Sequence, residues 1–268
     1  MSPGSFTKLW AVCASMAVVF VGCRSQQPDT KMSFTLQPGD LLFQDLDGGP
    51  LCDAIEKVTS GYEGANLSHV GIVVKLEDGP FVVIEATATG VDTVPVHQFL
   101  KRSLDKDRQP KVLVGRLKPE FSYLIPAAIR HAISLKGKPY DKVFDCNNDA
   151  YYCSELVQCS FMKANGGKPV FEMQPMTFVD PDTDETFGVW KEYFRELGVP
   201  IPEGQPGINP GSVSRSTVLS IIHAYGRPSG WTLSEVKSMP VFGKNSRDYG
   251  VPRSLLPDLA RFPPEPLS

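Results

Sequence analysis

Apolar positions fall in short runs through residues 36–117 and recur at helical spacing after that, so the chain reads as a strand-rich half followed by a helical half. FTLQPGDLLFQD places an apolar run behind a Pro38-Gly39 turn and predicts a strand starting at Asp40. LCDAIEKVTS predicts a short amphipathic helix, with Leu51, Ile55 and Val58 spaced for one face. LSHVGIVVKL and FVVIEAT flank EDGP, an Asp-Gly turn between two β-branched runs and the strongest hairpin signal in the chain. VDTVPV and KVLVGRL predict two further strands. Residues 121–135 predict a helix with Pro126 in its first turns and Gly137 beyond its end. YYCSELVQCSFMKANGG predicts a second helix, stopped by Asn165, Gly166 and Gly167, and VWKEYFRELG a third, closed by Gly198. Strands first and helices after them predict an α+β domain, an antiparallel sheet packed on helices.

Two ends fall outside this pattern. Lys8 followed by LWAVCASMAVVFVG is a basic start and an apolar stretch of signal-peptide length, short for a membrane span. Gly22 before Cys23 is similar to the bacterial lipobox, with Phe20 where leucine is usual; the alternative is an ordinary secretory signal cut nearby. Residues 1–22 are therefore expected to be a signal peptide, Cys23 the lipidation site, and residues 23–31 a tether. At the other end, 11 of the 24 prolines lie in residues 200–268. Residues 32–200 are expected to hold the domain, and 201–268 a Pro/Gly-rich extension: PEGQPGINPGS a turn-rich segment against it, the stretch from about Met239 a loose tail.

A net charge of −3 with 41% apolar and 21% charged residues excludes wholesale disorder and a polybasic nucleic-acid binder. Cysteine and histidine usage narrows the chemistry. No CxxC pair occurs and the four histidines, His69, His97, His131 and His223, are scattered, so a structural zinc site is not expected, and no metal or other cofactor is implied. Export leaves Cys52, Cys146, Cys153 and Cys159 in an oxidising compartment, where disulfides are possible. Cys52, Cys146 and Cys159 read as small buried residues, Cys146 alternatively as half of a disulfide.

Cys153 has a different reading. It opens a predicted helix that Asp149 or a neighbour would cap, and first-turn N–H groups there favour thiolate and can hold an oxyanion. If the hairpin turn centres near residue 77 or 78 with an even pairing sum, His69 and Glu85 project from one face, close to cross-strand opposition. A carboxylate there would orient the imidazole, and a glutamate inside the apolar VVIEA strand needs such a partner. An odd sum would separate them. A nucleophilic cysteine, a basic histidine and an orienting carboxylate follow the papain logic.

PGDLLF, SHVGIVV, a glutamate sixteen residues after the histidine, GKPYD and YYCSELV, in that order over residues 36–165, resemble the permuted papain-like amidases of the YaeF/YiiX type, relatives of NlpC-type cell-wall peptidases and lecithin:retinol acyltransferase-like enzymes. The resemblance implies a circularly permuted papain-like (NlpC-like) fold, Cys153 as nucleophile, His69 as general base and Glu85 as orienting carboxylate. It also implies thiolate attack on an amide or ester and an acyl-enzyme on Cys153. Asp40 is a site-lining candidate by the same resemblance, with a hydrogen-bonded turn role as the alternative. Tyr140, Tyr151 and Tyr152 would line a groove, donate to an oxyanion, or pack.

Three functions stand side by side. One is an amidase or peptidase of the bacterial cell envelope, a membrane-anchored lipoprotein acting on a small-molecule or peptide substrate such as peptidoglycan stem peptides. The second is a lipid acyltransferase or hydrolase, which an apolar groove rather than one lined by Arg, Lys and Asn would favour. The third is a non-catalytic envelope binding protein, which a Cys146–Cys153 disulfide would favour.

Overall fold

The computed structural model describes residues 34–77 and 79–232; the signal segment, Cys23, the tether, Asp78 and the tail from residue 233 lie outside the described residues. A six-stranded antiparallel sheet forms the scaffold: β1 (Leu41–Gln44), β2 (His69–Lys75), β3 (Phe81–Thr87), β4 (Gly90–Pro95), β5 (Val112–Leu117) and an edge strand, β10 (Leu219–Ala224). Its order is β10-β5-β1-β2-β3-β4. The helices are α1 (Pro50–Val58), α2 (Val96–Lys101), α3 (Ile125–Ser134), α4 (Cys153–Ala164), α5 (Gly188–Leu197) and α6 (Pro210–Ser214). Four two-residue strands, β6 (Gln174–Pro175), β7 (Val179–Asp180), β8 (Glu185–Thr186) and β9 (Pro206–Gly207), pair β6 with β9 and β7 with β8.

Alternation along the strands sorts the core into two layers. Leu41, Phe43, Val70, Ile72, Val74 and Ile84 share a cluster with the buried residues of α3 and α4. Leu42, Val73, Val83, Val112 and Val114 pack on the other face against Phe99 of α2. A third cluster joins Ala54 of α1 to Phe178, Trp190 and Phe194. The hairpin pairs Ile72 with Ile84 and Val74 with Val82, an even sum centred on residue 78.

The expected domain boundary at residue 200 does not match the structure. β10 pairs with β5 along the sheet edge, from Leu219 opposite Leu117 to Ala224 opposite Leu113. Residues 206–214 dock on the start of α4: the Ser154 hydroxyl donates to the Ile208 carbonyl at 2.9 Å, and the Ile208 N–H donates to the Tyr152 hydroxyl at 3.2 Å. The prolines predict turns rather than regular structure here, whereas β9, α6 and β10 all form between residues 206 and 224. Pro210 sits in the first turn of α6, where a missing N–H costs nothing, and Asn209 accepts from Ser212 N as its cap.

If this docking is part of the fold, Ser154→Ala leaves a buried carbonyl unpaired and is expected to cost about 1 to 2 kcal/mol in urea unfolding. An unchanged midpoint and slope would show that the segment is not held in this way.

Candidate active site

The even register puts His69 and Glu85 on one face of the hairpin, and their side chains meet. His69 Nε2 donates to Glu85 Oε2 at 2.6 Å, with the residues only 6% and 3% exposed. Gly71 lies between them on that face. A Cβ there would stand 2.4 Å from Val83 Cγ1 and 3.3 Å from Glu85 Cβ, so only glycine leaves the carboxylate its path to the ring.

The carboxylate has a further partner that the sequence did not signal. Arg102, the residue after α2, donates through Nη1 to Glu85 Oε2 at 2.7 Å and through Nη2 to Oε1, a two-pronged grip. Its guanidinium also lies over the Phe99 ring, 5.3 Å from the centroid. Phe99 in turn contacts the His69 ring at 5.8 Å. Gln44, paired with His69 across β1 and β2, is fully buried and donates from Nε2 to the Phe99 carbonyl at 2.8 Å. Imidazole, carboxylate and guanidinium are therefore fixed from three elements, β2, β3 and the end of α2.

Cys153 is the first residue of α4, as His69 is the first of β2, so these elements need bring only their starts together. The thiol interacts with the His69 ring by hydrogen bonding and charge. Nε2 is taken by Glu85, which leaves Nδ1 for the sulfur. Burial alone would pull His69 down, but its bonds to Cys153 and Glu85 outweigh that and hold it at about 9. Burial likewise pushes Glu85 up, and Arg102 and His69 overcome it and keep the carboxyl below its ordinary value. At neutral pH the ring is thus an imidazolium between a carboxylate and the sulfur.

The described cysteines are all free thiols, so Cys146 forms no disulfide with Cys153. Asp149 does not cap α4. Tyr152 occupies the cap position, while Asp149 is exposed and paired with Lys138, and Glu155 in the first turn accepts from Tyr152 N at 3.3 Å. Burial pushes Glu155 up to about 8, so its carboxyl is protonated at neutral pH.

Cys153 opens on a cavity of about 430 Å³ that Tyr140 and Tyr152 also line. Tyr151 is not among its lining residues. Asp40 lies at the opposite end of β1 from Gln44 and does not line the cavity either. Its carboxylate is spent on Gln37 N at 2.8 Å and on Arg116, through Nε at 2.7 Å and Nη2 at 2.8 Å, which is the turn role.

A family model described as permuted papain-like amidase enzyme, YaeF/YiiX, matches residues 35–223. The chain belongs to this family. YiiX of Escherichia coli (strain K12) is 26% identical over 192 residues, which span 71% of this chain and 88% of that protein. A crystal structure from Escherichia coli O157:H7, described as metalloprotein yiiX, superposes with a TM-score of 0.58 at 25% identity, covering 73% of this chain and all of that one. Permutation accounts for the chain order at the site, histidine first and cysteine last. The YaeF/YiiX family is an amidase family, and the mixed helix and antiparallel sheet fold is its permuted papain-like fold. The match runs past residue 200 into β10, in keeping with a sheet that needs this strand.

The four described thiols should differ in reactivity. Burial raises Cys52, lifts Cys146 to about 11 and Cys159 to about 12, the last two helped by Glu155. With iodoacetamide at pH 7, Cys153 is expected to be alkylated first, read by peptide mass spectrometry. Equal labelling of all four would count against an activated sulfur.

Proposed function

We propose that this chain is a cysteine amidase working through an acyl-enzyme on Cys153. The observation that carries the reading is the Arg102–Glu85–His69 relay, its carboxylate and imidazole buried, ending at the sulfur, with the ring held protonated to about pH 9. The Cys153 thiolate attacks the amide carbonyl and a C–S bond forms. The carbonyl oxygen turns its charge toward the first N–H groups of α4, which have no acceptor within the helix. As the C–N bond breaks, His69 gives its proton to the leaving amine. The neutral ring then takes a proton from water, whose oxygen attacks the thioester, releases the acid and restores the thiolate. Glu85 keeps the ring oriented and stabilises the imidazolium, and Arg102 positions Glu85.

The solved relative is described as a metalloprotein. Among the described residues no group of three or more His, Cys, Asp or Glu side chains is placed to hold a metal ion, so no step is derived through one. We also propose that residues 1–22 direct export and that Cys23 carries a lipid anchor at the cell envelope, the first substrates to test being peptidoglycan peptides.

Cys153→Ser is expected to abolish hydrolysis of muropeptides or acyl-lipids, whichever the wild type cleaves when both are assayed side by side. Retention of that activity would refute the nucleophile. The pH profile tests the relay. His69 is raised from 6.5 to about 9, so the proton it donates is present below that value and lost above it; kcat/KM should fall as pH rises through about 9. Glu85→Gln removes the charge that holds this proton and should move the alkaline limb down toward the ordinary histidine value. An unmoved limb would leave Glu85 without its orienting role.

A further inference from the structure

We infer that Ser68 is a substrate-binding residue, its hydroxyl proton offered to a substrate oxygen in the cavity or withheld from it according to the charge on Glu56. The inference rests on the cavity beside Cys153 being the substrate site, and it adds a contact for the substrate and a positioning residue that controls it.

The hydrogen bonds of this hydroxyl carry the argument. Ser68 directly precedes His69, and its N–H donates to the Gln44 carbonyl at 3.0 Å, so its backbone is fixed at the start of β2. It is 7% exposed and lines the cavity on which Cys153 opens. A serine hydroxyl has one proton and two lone pairs. One lone pair takes the Leu46 N–H at 3.0 Å. Glu56 of α1 shares a hydrogen bond with the same hydroxyl. An ionised Glu56 can only accept, so it takes the serine's proton; a protonated Glu56 donates into the second lone pair and leaves that proton for the cavity. Cys52, one turn earlier on α1, also borders the hydroxyl, but burial keeps it a neutral thiol, a weak acceptor. Ser154 and Ser212, also in the lining, have no such choice: each donates to a carbonyl at 2.9 Å, of Ile208 and of Asn209.

The surroundings of Glu56 make both charge states accessible. The residue is 7% exposed, and its Oε1 has no hydrogen-bond partner among the described residues. An ionised carboxylate in that position is costly. Lys111, the cation that acts on it, is committed elsewhere, to Asp45 at 2.9 Å and to Asp47 at 2.6 Å. Burial pushes the Glu56 carboxyl up, and the negative charges of Asp45, directly after β1, and of Asp53 on α1 push the same way. Ser68 and Lys111 pull it only part of the way back, to about 7. Below that pH the carboxyl is protonated and the Ser68 proton is free for substrate; above it the carboxylate holds that proton.

Carbon-13 NMR of protein labelled at the glutamate carboxyl carbons follows Glu56 with no ligand present, its resonance assigned by its loss in Glu56→Gln. The resonance is expected to titrate near pH 7, and Ser68→Ala should move that midpoint up by removing a donor to the carboxylate. On the muropeptide or acyl-lipid that the wild type hydrolyses, KM should rise about fivefold between about pH 6 and pH 8, the loss of one neutral hydrogen bond, with kcat changed by less than about twofold. Glu56→Gln, whose amide donates to Ser68 at every pH, should keep the low KM throughout, and Ser68→Ala should show the high KM throughout. A Glu56 midpoint in the ordinary carboxylate range overturns the inference, as does one unmoved by Ser68→Ala. A KM that keeps its pH dependence in either variant overturns it too. Retained hydrolysis in Cys153→Ser would refute the nucleophile and leave the titration of Glu56 and its response to Ser68→Ala as they stand, so the two readings fail separately.

Discussion

A carboxylate buried in the middle of a strand is the constraint on which the site depends. Glu85 is flanked by apolar strand residues and is almost wholly out of water, so an unpaired charge there would cost several kcal/mol. The fold meets that demand with three donors from two directions, His69 from the neighbouring strand and both Nη atoms of Arg102 from the end of α2. Each provision constrains something else. The ring can reach the carboxylate only in an even hairpin register, and only with glycine at position 71. Arg102 can reach it only if α2 packs on this face of the sheet, which Phe99 secures by filling the cluster with Val73 and Val83.

The second dependence runs through the chain end. The start of α4 is where a thiolate and an oxyanion would be stabilised, and it is held by the docked residues 206–214 through Tyr152 and Ser154. The same segment supplies Gly207, Ile208, Asn209 and Pro210 to the cavity wall, with Arg215 just beyond it. What looks like an appendage in the sequence is a wall of the pocket and an edge strand of the sheet.

Legibility in the sequence follows locality. The hairpin could be read because two β-branched runs and an Asp-Gly turn fix it within twenty residues, but its register stayed open between an even and an odd sum, and the even pairing in the structure is what brings His69 and Glu85 together. α4 and its terminal cysteine could be read from a clean stop at Asn165, Gly166 and Gly167. Arg102 could not, since VHQFLK is only six residues long and shows no apolar period, and nothing local says which carboxylate the next arginine will meet. β10 escaped for the opposite reason. Its LSIIHA run is strand-like, but it is embedded in proline-rich sequence, and its membership of the sheet depends on β5, about a hundred residues earlier. Asp40 was placed by resemblance of its neighbours, and its carboxylate answers to Gln37 and Arg116 instead.

Two glutamates near the sulfur have been driven to opposite protonation states, and that division sets the electrostatics of the site. Glu85 is kept ionised by a guanidinium and an imidazolium, so its negative charge lies on the far side of the ring from the sulfur and favours the proton on His69. Glu155 is two residues from the cysteine in the same first turn, with no cation paired to it among the described residues, and burial keeps it protonated to about pH 8. Were both ionised, a negative charge in the first turn of α4 would oppose the positive end of the helix that faces a developing thiolate or oxyanion. Were both neutral, His69 would lose the partner that keeps its proton. Two carboxyl groups with shifts of opposite sign therefore leave the positive end of α4 unopposed and the base protonated, the charge distribution that the proposed attack on an amide requires.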